Sequence, residues 1–174
     1  MYPEGSVIIT NQADIDKIVL PDGNLLAVEN LVLRGADVTN EVLANVQTKI
    51  KSTVNLYCDG CSFAACANIF GSVAVTGSIS FKNMCNGTSQ YLNTAKIPTT
   101  IGGDLTIENV RIHGWKGLGG IDTIEEIKGN LTIATEVITA SVAFISLKKV
   151  GGNLVVDGAR LGFNGGRLCN LDQW

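Results

Sequence analysis

The sequence predicts a mainly β solenoid of about seven rungs with one or two short helices, and three observations support this fold class. A six-residue pattern with apolar second and fourth positions occurs seven times, with starts 23 to 26 residues apart. A repeat of ~20–50 residues is typical of solenoids. A segment with apolar residues at every third position, followed by glycine, precedes most copies. The copies start at Ser6, Asn30, Asn55, Ser78, Asp104, Asn130 and Asn153.

Each copy is interpreted as a β-strand with one buried face. In residues 104–109, Leu105 and Ile107 fill the apolar positions, and a two-residue period places them on the same face. The third position is expected to face outward. Because one rung cannot bury its apolar edge alone, we expect stacked rungs to pair their strands in a parallel sheet over a shared core.

The ends of each copy predict turns. Small polar residues at the first position are expected to hydrogen-bond to neighbouring backbone. Glycine and asparagine tolerate positive φ, so the sixth position predicts a corner in the left-handed region. Thr135 departs from this rule and predicts a different corner. The sixth positions are Asn11, Gly35, Gly60, Asn83, Asn109, Thr135 and Gly158.

The segments between strands carry their own pattern. Ile121, Ile124 and Ile127 are spaced by three and precede Gly129. This spacing predicts a 3₁₀-like or irregular turn with one edge inward, and the glycine is expected to let the chain bend sharply into the strand. Residues 39–50 are the best helix candidate, with Thr39 or Asn40 as the cap. Residues 13–19 predict a shorter helical turn.

Length and charge limit the function classes. A chain of 174 residues predicts a single domain over residues 1–174. The net charge is −3 and there is no basic tract, which argues against nucleic acid as a partner. No apolar run is long enough to span a bilayer, so no direct membrane insertion is predicted. Leu168, Leu171 and Trp174 repeat the three-residue spacing that precedes other strands, so we expect a fragment of a longer protein.

Five cysteines occur, so at least one stays unpaired. Cys58 falls in an inward column and is interpreted as a small buried hydrophobe. Cys61 and Cys85 occupy near-equivalent places in adjacent rungs, which leaves open a bridge between them. Cys58 and Cys61 also resemble half of a metal site. Its second half is missing and His113 is remote in sequence, so no metal and no cofactor are predicted.

The phrases IGGDLTIENV, IKGNLTIAT and VGGNLVVDG resemble the receptor L domain and related leucine-rich-repeat-like surface proteins of bacteria. The resemblance covers nearly all of the chain and is strongest in residues 101–158. It implies a right-handed parallel β-helix or leucine-rich-repeat-like solenoid displayed outside the cell, in a family whose members mostly bind or adhere. The resemblance does not assign a binding residue to this chain, because no motif here marks the ligand sites of that family.

The fifth position of the middle rungs alternates in charge. Its residues are Arg34, Asp59, Lys82 and Glu108. Because equivalent residues of adjacent rungs lie side by side, opposite charges are expected to pair and to fix the register. Each exposed pair should contribute ~0–1 kcal/mol. The alternative interpretation is a polar ligand-binding strip made of the same residues.

Two further places are candidates for ligand binding. An apolar strip on the outward face consists of Ile8, Val32 and Tyr57. We expect this strip to be covered either by the chain itself, by another domain or by a ligand. Tyr57 is the residue there most suited to recognition. His113 and Trp115 lie in a glycine-rich segment, where they either stack a ligand or fold back as a lid.

The repeat and the absence of a catalytic constellation predict a non-catalytic, secreted or cell-surface recognition or adhesion module for a protein or glycan ligand. With a single histidine, no nucleophile has an assignable base, so no catalytic residue is predicted. The alternative is a polysaccharide-active β-helix enzyme, for which the charged residues of the fifth position are the available cluster.

Overall fold

The protein is a mainly β fold built on a parallel sheet. The computed structural model describes residues 1–62, 66, 68–84, 97–110, 123–134 and 146–157. Among the elements whose bounds lie within the described residues are the short α-helices α1 (Gln12–Asp16) and α2 (Asn40–Val46) and a 3₁₀ turn (Pro21–Gly23). The strands of the described residues are β1 (Val7–Ile9), β2 (Leu26–Arg34), β3 (Ile50–Asp59), β4 (Ala74–Val75), β5 (Ile79–Lys82), β6 (Thr100–Ile101), β7 (Leu105–Glu108), β8 (Glu126–Ile127), β9 (Leu131–Ala134), β10 (Lys149–Val150) and β11 (Leu154–Asp157).

The main sheet contains one strand from each of the seven sequence repeats. Its order is β1-β2-β3-β5-β7-β9-β11, with β4 paired to β3, and neighbouring strands are parallel. Leu131 lies between Leu105 and Leu154 in the register, so equivalent positions of successive repeats are side by side. The predicted parallel pairing and column register are confirmed.

A second, three-stranded sheet is made by the segments that precede the main strands. Strands β6, β8 and β10 are parallel, with Ile101 opposite Ile127 and Ile127 opposite Val150. At these residues, short strands take the place of the predicted 3₁₀-like or irregular turns. Their backbone groups bond to the adjacent repeat instead, as in Lys128 N–H to Ile101 O at 3.0 Å and Gly151 N–H to Ile127 O at 2.8 Å.

The core lies between these two sets of strands. The second and fourth positions of the repeat are buried from Leu31 to Ile133, and Ile101, Ile124 and Ile127 are buried with them. The last described strand is the exception to the predicted pattern, because Val156 in β11 is 39 % exposed. The helix predicted over residues 39–50 is confirmed at its start, where Thr39 caps α2 and Val42, Leu43 and Val46 are buried, but it ends at Val46 because Ile50 begins β3.

The glycines before the strands are required by close approach between repeats. An ideal Cβ on Gly102 would lie 1.9 Å from the carbonyl oxygen of Thr76 in the preceding repeat, and one on Gly103 would lie 2.4 Å from Ser78 Oγ. Neither glycine has φ in the left-handed region. The chain does bend at these glycines, as predicted, and the positions require glycine because they lack room for a side chain.

The first position of the repeat forms a ladder of hydrogen bonds between repeats. Asn55 Oδ1 accepts from Ser78 N at 2.9 Å, and Asp104 Oδ1 accepts from Asn130 N at 2.7 Å. Asn130 Oδ1 continues the ladder to Asn153 N at 2.8 Å. The sequence predicted that these side chains bond to nearby backbone. Their partners lie one repeat away, because in-register stacking brings the next strand start within reach.

The sixth position forms the predicted left-handed corner in four repeats. φ is positive at Gly35, Gly60, Asn83 and Asn109. Asn11 contradicts the prediction, with φ −162°, because its side chain caps α1 and an N-cap residue requires extended backbone. Thr135 and Gly158 lie outside the described residues. Within the part of the chain that is described, no helix is long and apolar enough to cross a membrane.

Candidate binding groove and cysteine cluster

An open groove of about 690 Å³ lies on the outward face of the main sheet, over strands β1, β2, β3 and β5. Residues 1–6 form one side of it, and the strands supply the rest. The side chains that matter for recognition are those of Tyr2, Ile8, Arg34, Tyr57, Asp59 and Lys82. Four of the residues predicted from sequence thus line one groove, because adjacent repeats place equivalent positions next to each other.

The predicted charge column has the expected register, but its members do not all pair. Asp59 is opposite Arg34 on one side and Lys82 on the other, and Lys82 is opposite Glu108. Among these four residues, which all lie in the described ranges, the ion pair within 4.0 Å is Lys82 Nζ to Glu108 Oε2, at 2.6 Å. Both side chains are more than a third exposed, so the pair contributes ~0–1 kcal/mol.

Asp59 is held by two uncharged donors. Its Oδ2 accepts a short hydrogen bond from the Tyr2 hydroxyl, and its Oδ1 accepts from Asn83 Nδ2 at 2.7 Å. Partial burial works against ionisation of Asp59, but these two hydrogen bonds, with the nearby charge of Arg34, lower its pKa below the ordinary range. Asp59 is therefore an ionised acceptor fixed at the rim of the groove.

Tyr2 connects the N-terminal segment to the sheet. Its ring packs edge to face on Tyr57, with centroids 5.8 Å apart and an interplanar angle of 62°. Burial raises the pKa of the Tyr2 hydroxyl above its ordinary value, and the hydrogen bond to Asp59 acts in the same direction. The hydroxyl thus remains a proton donor at neutral pH. No pattern in the sequence predicts this contact, because 57 residues separate Tyr2 from Asp59.

The apolar strip predicted on the outward face is partly covered by the chain itself. Val32 is fully buried but is not part of the core cluster that contains Leu31 and Leu33, which agrees with an outward-facing side chain covered by the chain, whereas Ile8 is 43 % exposed. Tyr57 is half-buried between these extremes. The open part of the strip is therefore Ile8 and Tyr57, which both line the groove. His113 and Trp115 lie outside the described residues.

A second chemical feature lies inside the core. The Sγ atoms of Cys58, Cys61 and Cys66 all lie within 4.8 Å of one another, and all three residues are buried free thiols. Cys58 points inward from β3. Gly60, with φ +71°, turns the chain so that Cys61 returns to the same interior, and Cys66 approaches from the following segment.

This cluster changes two expectations. The bridge considered between Cys61 and Cys85 is not formed, since Cys61 is a free thiol with its Sγ 3.3 Å from Cys66 Sγ. Cys85 lies outside the described residues. The Cys-x₂-Cys pair was judged an incomplete half-site, and sequence reasoning missed that Cys66 joins it. The available signal was Cys66 five positions after Cys61 in a chain with few cysteines.

The three thiols differ in acidity. Burial raises the pKa of Cys58 and of Cys66 above the ordinary thiol value. Hydrogen bonds from these two thiols lower the pKa of Cys61. Cys61 also lies 3.2 Å from the Leu33 carbonyl oxygen, to which a thiol can donate but a thiolate cannot. Ionisation of Cys61 would therefore give up the hydrogen bond that it donates to Leu33 O and keep those that it accepts from Cys58 and Cys66.

No family model matches the chain, and neither the search of curated proteins nor the search of solved structures found a match.

Proposed function

We propose that the protein is a non-catalytic recognition or adhesion module, displayed outside the cell, that binds a protein or glycan ligand in the groove of the main sheet. The observation that carries the proposal is the groove itself. It combines an aromatic surface, Tyr57 with Tyr2, and fixed charges of both signs, Arg34, Asp59 and Lys82, on one rigid sheet.

The finer description of the fold is part of the proposal. The successive repeats form a right-handed parallel β-helix or leucine-rich-repeat-like solenoid of about seven rungs. This arrangement would account for both parallel sheets. Each repeat contributes a strand to the main sheet, and several contribute a second strand to the smaller one. Parallel connections of this kind are right-handed in ~98 % of cases. Such folds present one extended face to their ligands.

The chemistry of the groove suits a ligand with both polar and apolar surface. Tyrosine offers an apolar ring with a polar tip, and such residues dominate the energetics of many interfaces. Arg34 lines the groove and makes no ion pair within 4.0 Å among the described residues, so no carboxylate there neutralises its charge. A planar guanidinium beside an aromatic ring can bind carboxylates or the hydroxyls of a sugar.

The state of Asp59 favours binding over catalysis. A general base or acid works best with a pKa near the operating pH. The pKa of Asp59 is lowered instead, and both of its oxygens already accept hydrogen bonds. An ionised carboxylate whose oxygens both accept hydrogen bonds is suited to accepting hydrogen bonds from ligand hydroxyls. It is less suited to carrying a proton.

The test begins with the purified chain on arrays of glycans and of extracellular proteins. For a ligand found this way, Tyr57→Ala should weaken binding about 30-fold, the effect of losing an aromatic anchor worth ~2 kcal/mol. Arg34→Ala should also weaken it. Lys149→Ala is the control, because Lys149 is an exposed cation on the second sheet and does not line the groove.

Two outcomes would contradict the proposal. Unchanged affinity in both Tyr57→Ala and Arg34→Ala, with the folded state verified by circular dichroism, would remove the groove as the binding site. Turnover of a polysaccharide that is lost in Asp59→Asn would show an enzyme instead.

A further inference from the structure

The buried cysteine cluster has the composition of a metal site rather than of ordinary packing. In the neighbouring repeat, Phe81 and Met84 fill the interior where this repeat has Cys58 and Cys61. A single buried cysteine behaves as a small hydrophobe. Three thiols whose sulfurs point at one another add little apolar contact to the core. They also bring three weakly polar S–H groups together, which ordinary packing of the core does not require.

The distances suit a single ion. Three sulfurs that bind one tetrahedral zinc ion at ~2.3 Å lie ~3.8 Å apart. Here Cys61 and Cys66 are 3.3 Å apart and every sulfur pair is within 4.8 Å. The side chains can therefore meet one ion with small rotations. The Leu33 carbonyl oxygen, 3.2 Å from Cys61 Sγ, is a further donor atom at the same place.

The sulfur donors select the class of metal. Thiolates favour soft cations such as Zn²⁺ and Cu⁺, whereas Mg²⁺ and Ca²⁺ require oxygen ligands. A divalent ion also leaves less net charge in the core than a monovalent one, since three thiolates carry −3. The site is buried from solvent, with each cysteine at most 1 % exposed.

We infer that Cys58, Cys61 and Cys66 form a structural site for one thiophilic d¹⁰ cation, Zn²⁺ or Cu⁺. On binding, each thiol that coordinates loses its S–H proton to solvent and forms one sulfur–metal bond. No electron is transferred. The ion would tie strand β3 to the segment that carries Cys66, and would protect the three thiols from oxidation outside the cell.

The experiment uses the full chain, reduced, stripped of metal and kept without oxygen. It is titrated with Zn²⁺, with Cd²⁺ as a spectroscopic substitute, and separately with Cu⁺, each in competition with a chromophoric chelator. We expect one ion per chain, a thiolate-to-cadmium charge-transfer band, and a higher melting temperature with metal than without it.

Cysteine variants locate the site. Cys58→Ser, Cys61→Ser and Cys66→Ser should each lose stoichiometric binding, and Cys169→Ser, which leaves the three thiols intact, should keep it. If a variant fails to fold, the metal-dependent rise in melting temperature of the unaltered chain still tests the proposal. Absence of that rise together with absence of stoichiometric binding would overturn it. Equal loss of binding in Cys169→Ser and Cys66→Ser would do the same.

Discussion

Replacement of Gly102 by alanine tests whether adjacent repeats touch through their backbones. The new Cβ would lie 1.9 Å from Thr76 O and 3.0 Å from Thr76 C. Carbon–oxygen contacts start at ~3.3 Å, so the two repeats would have to separate locally by about 1.4 Å. The atom that blocks the methyl group belongs to the backbone, and rotation of a side chain cannot relieve the clash.

Separation of the repeats would also stretch the hydrogen bonds that join them. Asp104 N donates to Ser78 Oγ at 2.9 Å, and Ile79 N donates to Asp104 O at 2.9 Å. An added ~1.4 Å takes both beyond the ~3.2 Å limit of a good hydrogen bond. Overpacking costs ~1–3 kcal/mol and each lost hydrogen bond ~1 kcal/mol, so we expect destabilisation of about 3–5 kcal/mol.

Urea denaturation followed by circular dichroism measures this loss, and the melting temperature should fall by about 6–20 °C. Gly71→Ala is the matched control. Its Cβ would meet Asn68 O at 3.6 Å, an ordinary contact, and its φ is not in the left-handed region. The control should stay within ~0.5 kcal/mol of the unaltered protein. If Gly102→Ala is as stable as Gly71→Ala, the argument from close approach is wrong.

Three further predictions concern hydrogen bonds and titration. Asn55→Ala should destabilise the protein by ~1–3 kcal/mol in the same denaturation assay, because the part-buried N–H of Ser78 loses its acceptor. Tyr2→Phe should lower stability at pH 7. Because the pKa of Tyr2 is raised in the folded state, its full contribution to the free energy of unfolding is present below the unfolded-state pKa of ~10. The difference in stability between Tyr2→Phe and the unaltered protein should disappear as the pH rises further. Asp14→Asn should also be less stable at pH 7; the pKa of Asp14 is lowered to about 2, so stability curves of the two proteins should converge between pH ~4 and ~2.

The recurrence of one short pattern was enough to predict the strands and their register. Alternation of apolar residues specifies which face of a strand is buried, and this property belongs to the local chain. Equal spacing of the copies then predicts that Leu105, Leu131 and Leu154 share one column, which the structure bears out. The candidate residues Arg34, Tyr57, Asp59 and Lys82 could be placed near each other for the same reason.

Contacts between parts of the chain that follow no repeat could not be predicted in this way. The N-terminal segment places Tyr2 against Tyr57 and Asp59, and this contact, not the charge column, gives Asp59 its partners. Cys66 joins Cys58 and Cys61 because the chain turns inward after Gly60. From the sequence, the glycines before the strands predict a sharp bend. Only the distance between stacked backbones shows that these positions also lack room for a side chain.

The sequence by itself determined which side chains point inward and which repeats are neighbours, because both follow from periodicity along the chain. The tertiary structure alone decided where polar and sulfur atoms meet, because those distances depend on how the connecting segments fold back across repeats. The groove and the cysteine cluster both arise at this second level.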